Sequence, residues 1–317
     1  MQDLAFSLNA TMPVFLLMLV GMVLRRFRVI DDAFAARLNS FVFHVALPVL
    51  LFGDMAAIDF AAGFDASFVA QCFALTLGCI AISVLLSAFL RRPSERGEFI
   101  QASYRSSAAL LGVALLQNMY GSSQAAALMI VGAVPLYNVA AVIALAFAAP
   151  DTSKRPSTLR TRVKESRRGI VFNPIIIGIV AGFAYAALRL PMPEIAAALI
   201  ESIGGLATPL GLMAMGAMFD IRRASGHLAP ALGASAVKLV GLAAALLPVS
   251  VALGARGEEL AAIAVMLASP TTVSCFVMAR AMGHDGMLSS TVVMATTLGS
   301  AFTLTAWFFV LRSLGLL

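Results

Sequence analysis

The sequence predicts an all-α polytopic membrane protein of ten transmembrane helices. They form two inverted five-helix repeats, with broken crossing helices in spans 4 and 9. Three observations lead there. The 317 residues are 61% hydrophobic and 12% charged, whereas a soluble domain is roughly half apolar and a quarter charged. Apolar runs of about 20 residues, enough to cross a bilayer, recur along the chain. Prolines and glycines recur at a fixed offset between the two halves.

Span 1 is read at about 4–24. Its start, "MQDLAF", lacks a basic leader, and the apolar run is long enough to remain as an anchor. "RRFR" (25–28) closes it. Span 2 (33–53) holds His44 in "FHVALP", and an acidic linker with Asp54 and Asp59 follows. His44 is a candidate gating or coupling group because imidazole titrates near neutral pH. Span 3 (66–90) ends in "RRPSER" (91–96). Span 4 (99–120) carries Arg105, Ser106, Ser107, Gly112 and Asn118. Span 5 (124–149) carries Asn138.

A Pro-, Ser- and Arg-rich segment, 150–169, divides the chain into repeats 1–149 and 170–317. Span 6 (170–190) opens on Asn173-Pro174, a cap and first-turn proline. Span 7 (198–219) is Met-rich, which suits packing. Span 8 (228–253) contains Lys238. Span 9 (258–280) contains "LASPTTVSC" (267–275), and span 10 covers 287–311.

Most of the 22 Lys and Arg residues lie in or beside the linkers after the odd-numbered spans. The positive-inside rule then makes those linkers cytoplasmic and puts both termini outside. The basic balance therefore reads as topology, not nucleic-acid binding. The Ala- and Arg-rich composition points to a bacterial inner membrane. Cys72, Cys79 and Cys275 lie in apolar runs without a C-x-x-C pair, which excludes a disulfide framework or metal cluster. The chain has no H-E-x-x-H, no G-x-S-x-G and no phosphate-cradling loop, so no enzyme and no cofactor is expected.

An offset of 161 residues superposes Pro13 on Pro174, Gly21 on Gly182, Pro48 on Pro209 and Glu98 on Glu259. Five spans per half force the second half to insert upside down, the pattern of secondary transporters. Pro270 removes a backbone donor in mid-span. In lipid, freed backbone groups are tolerated only where partners or a cavity meet them. Ser269, Thr271, Thr272, Ser274 and Cys275 surround that break, and Arg105, Ser106 and Ser107 occupy the corresponding place in the first half. Half-helix N-termini carry partial positive charge and attract anions. Arg105 and Lys238 are cations inside spans, and such residues are functional candidates by default. All 16 Asp and Glu residues fall in linkers or near span ends. No central carboxylate is therefore expected as a proton relay, and an anionic substrate is favoured.

The stretches "LNSFVFHVALPVLLF" (38–52), "GVALLQNMYG" (112–121), "NPIIIGIVAGF" (173–183), "PLGLMAMGAMF" (209–219) and "ASPTTVSCFVMARAMGHD" (268–285) resemble the auxin efflux carrier family. That resemblance implies a scaffold of spans 1, 2, 6 and 7 and a mobile transport domain of spans 3–5 and 8–10. It also implies elevator-like motion and a homodimer formed through the scaffold. The chain departs from the family at Ser107, Ala114 and Cys275, where Asn, Pro and Pro are common. The break in span 4 must then rest on Gly112 or on tertiary packing. The combined expectation is a secondary carrier of small carboxylates. Its substrate site is built from Arg105, Ser106, Ser107, Gly112, Asn118, Asn138, Ser269, Pro270, Thr271, Thr272, Ser274 and Cys275, with Lys238 and His44 as coupling or gating groups. Coupling to a proton or sodium ion stays open. The rival expectation is a receptor or sensor that keeps the fold without turnover.

Overall fold

The computed structural model describes residues 2–58, 65–148 and 172–317, and among these there is no strand. Twelve helices of eight or more residues organise them. They are α1 (Gln2–Arg26), α2 (Asp32–Ala56), α3 (Ala66–Ser87), α4 (Arg96–Tyr104), α5 (Ala108–Tyr120) and α6 (Gln124–Ala148). Then come α7 (Pro174–Ala187), α8 (Glu194–Met218), α9 (Leu228–Ala252), α10 (Gly257–Ala268), α11 (Ser274–Ala281) and α12 (Met287–Ser313). Six of them, α2, α3, α6, α8, α9 and α12, are long and apolar enough to cross a membrane. The 150–169 linker lies outside the described residues.

Local chemistry starts several helices where the sequence places them. Asp65 accepts from the backbone N–H groups of Ser67 and Phe68 and caps α3. Asn173 accepts from the N–H of Ile175 at 3.0 Å, and Pro174 takes the first helical position of α7. Pro48 and Lys238 sit at or just after widened π turns, Val42–Ala46 in α2 and Val237–Gly241 in α9. Such turns recur at functional sites.

Two glycines decide how the helices cross. Helix α1 packs on α8, and α2 on α7. Gly21 of α1 lies under the carbonyl of Met213 in α8, where a Cβ would collide with the backbone. Gly182 of α7 lies under the carbonyl of Phe52 in α2, and a Cβ there would come within 2.6 Å of that oxygen. These contacts bring α1, α2, α7 and α8 together. A second group joins α3 to α6, α4 to α6 and α10 to α9.

At the centre of the second group lie the short helices. Every residue of α10 from Leu260 to Ala268 is buried. Helix α4 is buried from Gly97 to Tyr104 although it includes Glu98, Gln101 and Ser103. A helix surrounded on all sides belongs to the protein interior. Polar side chains survive there only with partners. Glu98 finds two, the backbone N–H groups of Gly286 and Ser289 at the start of α12, each at 2.9 Å. Glu258, at the start of α10, accepts from the N–H of Ala125 at the start of α6.

Candidate functional site between two interrupted helices

The chain leaves helical geometry between α4 and α5 at Arg105–Ser107, and between α10 and α11 at Ser269–Val273. The second break follows from Pro270, which pushes Ser269 into an extended conformation (φ −70°, ψ 159°). The first has no proline. Gly112 is not the break: it lies inside α5, packed near Met129, because nothing at that position deprives the helix of a hydrogen bond. Tertiary contacts hold the first break open instead. The N–H of Ser107 donates to the carbonyl of Pro270 at 2.8 Å, so the two breaks are bonded to each other.

Each C-terminal half-helix end exposes carbonyls that need partners. The breaks supply them reciprocally. Thr271 Oγ1 donates to the carbonyl of Ala102, near the end of α4, at 2.7 Å, while Gln101 Nε2 ties α4 to the first turn of α11 through the carbonyl of Cys275 at 2.8 Å. Ser106 Oγ and, at 3.3 Å, Tyr137 donate to the carbonyl of Met266. Lys238 Nζ, from α9, donates to the carbonyl of Leu267 at 2.7 Å and to Ser106 Oγ at 2.5 Å. The carbonyl ends are thus satisfied, while the N-terminal ends of α5 and α11 face a cavity.

That cavity has a volume of 230 Å³. Arg105, Ser106, Ser107 and Ala109 line it from the first break, and Thr272, Val273 and Ser274 from the second. Tyr137 and Asn138 add the wall from α6, Asp54 that from α2, and Thr208 that from α8. Arg105 is 2% exposed. Its Nη2 donates to Asn138 Oδ1 at 2.8 Å and Ser274 Oγ at 2.7 Å, and its Nη1 approaches the Met278 sulfur at 2.8 Å. Its Nε is buried without a partner. Among the described residues no carboxylate forms an ion pair with Arg105 or with fully buried Lys238. An Arg or Lys at mid-membrane costs about 2.5–3.5 kcal/mol. The two half-helix N-termini add about half a positive charge each. The arrangement is a cationic pocket with one carboxylate, Asp54, on its wall and no ion pair to Arg105, suited to a small anion.

The structure brings together most of the residues that the sequence singles out. Arg105, Ser106, Ser107, Asn138, Thr272 and Ser274 line the cavity. Pro270, Thr271, Cys275 and Lys238 stand behind it, fixing the breaks. Ser269 is buried in the second break. Asn118 does not join them: it is exposed on α5, because its position turns it away from the break. His44 is also exposed, with Nδ1 2.9 Å from the carbonyl of Ser40 one turn earlier, and does not line the cavity. Sequence reasoning missed Asp54, Tyr137 and Thr208. Asp54 reads as linker because it closes an apolar run, but α2 continues to Ala56 and carries it to the cavity wall. Asp54 is near the end of a span, as the sequence places every Asp and Glu, yet it still reaches the wall of the cavity.

An all-helical membrane protein with two interrupted helices joined around a cationic cavity belongs to the class of membrane transport proteins. The family described as "Membrane transport protein" matches residues 6–308. The chain therefore belongs to that family, the auxin efflux carrier family. It is 26% identical over 287 residues, 87% of each chain, to the "Putative malonate transporter" of Rhizobium meliloti (strain 1021).

Proposed function

We propose that the chain is a secondary carrier of small organic anions, with dicarboxylates of the malonate kind as the first substrate class. The observation that carries this reading is the guanidinium of Arg105, buried in a 230 Å³ cavity with no carboxylate paired to it, between two half-helix N-termini. One carboxylate of the substrate accepts from Arg105, from the Thr272 and Ser274 hydroxyls that line the cavity and from N–H groups at the starts of α5 and α11. Charged donors give the stronger hydrogen bonds. The relative's name adds the choice of malonate. The work is alternating access, which needs no enzymatic step and no cofactor.

Ten spans in two inverted repeats account for further packing. The contacts of Gly21 with Met213 and Gly182 with Phe52 are related by the same 161-residue offset, which carries Gly21 onto Gly182 and Phe52 onto Met213. Glu98 caps α12 at Gly286 and Glu258 caps α6 at Ala125; the capped residues are related by the 161-residue offset, and the capping glutamates by one residue less. On this reading α1, α2, α7 and α8 form a scaffold and homodimer face. The remaining helices form the transport domain, which moves elevator-like with the cavity at its edge.

The test is counterflow of radiolabelled malonate in proteoliposomes. Wild-type protein exchanges label. Arg105→Gln loses at least tenfold in apparent affinity, the cost of about one charged hydrogen bond. Binding without counterflow selects the sensor on the same fold. Unchanged exchange by Arg105→Gln overturns the site.

A further inference from the structure

We propose that Asp54 is a pH-sensing group at the wall of the anion cavity, protonated when the anion is bound and ionised when the cavity is empty. The inference rests on the anion-carrier reading above and deepens it.

Two cavities meet at Asp54. The first is the 230 Å³ cavity that holds Arg105. The second, of 460 Å³, lies between the end of α2 and the start of α8 and is lined mainly by apolar residues such as Ala57, Met192 and Ile200. Leu50, Asp54 and Gly205 line both and so mark their junction. The junction is open space: a Cβ on Gly205 would meet nothing within 4 Å. Asp54 is half-buried in the last full turn of α2. Among the described residues it has no ion pair and no hydrogen bond.

The charged and titratable groups around Asp54 are few. From the break, Arg105 faces the same cavity, and Tyr137 faces it from α6. From α8, Glu201 lines the second cavity. Helix α7, packed on α2, contributes only Tyr185, whose ring stands against Phe52. Helix α11 contributes hydroxyls.

A carboxylate in this place works against the cavity's purpose while it is ionised. It offsets the charge of Arg105 and repels an entering anion in a site of low dielectric. Protonation removes that repulsion. The Asp54 carboxylate takes up one proton as the anion binds, giving the carboxylic acid, and the acid returns that proton to the same cavity as the anion leaves. Anion binding and Asp54 protonation then favour each other by the same factor, as linkage requires. Glu201 at the outer wall adds a second negative charge that makes entry of an unaccompanied anion less favourable still.

Anion affinity is highest at acidic pH, where Asp54 is protonated, and falls as pH rises and the carboxylate forms. Above the titration of Asp54 the fall approaches tenfold per pH unit. The experiment measures malonate binding to purified protein by calorimetry from neutral to mildly alkaline pH, where malonate itself stays a dianion. Wild type loses affinity as pH rises, whereas Asp54→Asn binds with the same affinity throughout and at least tenfold more tightly than wild type at the alkaline end. Asp54→Glu keeps the slope. Asp54→Ser, a second neutral replacement, gives the same reading if the asparagine variant does not fold. An unchanged pH slope in the neutral variants overturns the assignment of Asp54 alone. Absence of malonate binding by wild type at every pH overturns the carrier reading and this inference with it.

Discussion

Thr271 and Thr272 show how adjacent residues of one type separate into two roles. Thr271 turns its hydroxyl away from the cavity, to the carbonyl of Ala102, and its N–H to Thr296 Oγ1 at 3.0 Å. Thr272 lines the cavity, and its hydroxyl reaches only Ser274 Oγ, at 3.3 Å. Removing one partner of a buried hydrogen bond costs about 1–3 kcal/mol. Thr271→Ala is therefore expected to lower thermal stability in detergent by about that much. Thr272→Ala is expected to leave the melting temperature unchanged and to weaken malonate binding several-fold, measured by calorimetry. The reverse pattern would exchange their roles. Lys238 belongs with Thr271. Its ammonium closes the carbonyl end of α10 while adding positive charge behind the anion cavity.

Among the elements, short helices carry the site and long ones carry the frame. A half-helix ends in mid-protein only if its carbonyls meet donors, and hydroxyls from the opposite break provide them. The first break shows the limit of sequence reasoning: no residue of "YRSSAALLG" forbids a helix. The break persists because Ser107 bonds to Pro270, and Ser106 to Lys238, 132 residues away. The frame depends on close backbone approach at Gly21 and Gly182. Gly182→Ala places a methyl group 2.6 Å from the Phe52 carbonyl oxygen and forces α2 and α7 apart. Overpacking of this kind costs about 1–3 kcal/mol. The expected result is a lower melting temperature, with loss of carboxylate exchange following it. A melting temperature equal to that of wild type would show that the crossing yields without cost.

For the whole molecule, orientation is the property that the charge pattern dictates and labelling tests. Ser94, in the basic linker between α3 and α4, and Glu194, at the start of α8, are both exposed. The three native cysteines are buried and free. Ser94→Cys is expected to react with an impermeant maleimide only when the cytoplasmic face is open. Glu194→Cys is expected to react from the outside in intact cells. Labelling of both from one side would overturn the ten-span topology. The same charge pattern separates the functions available to the molecule. Basic residues lie mostly outside the apolar runs, and the two buried within them, Arg105 and Lys238, both reach the region of the breaks.

Composition and period determined the class of this protein by themselves: apolar runs of about 20 residues cross lipid as helices, whose backbone groups pair within the segment, and glycines and prolines at a fixed offset mark where helices cross and stop. Pro270 announced one break, and the hydroxyls beside it announced a polar lining. Tertiary structure alone decided three things. It opened the first break, without a proline, through hydrogen bonds from distant segments. It sorted Thr272 and Ser274 onto the cavity wall while leaving Asn118 exposed. It carried Asp54 from the end of an apolar run to the junction of two cavities. The physical reason is common to all three. Sequence sets which groups need partners, but which partner is within about 3 Å is fixed only when helices far apart in the chain are packed together.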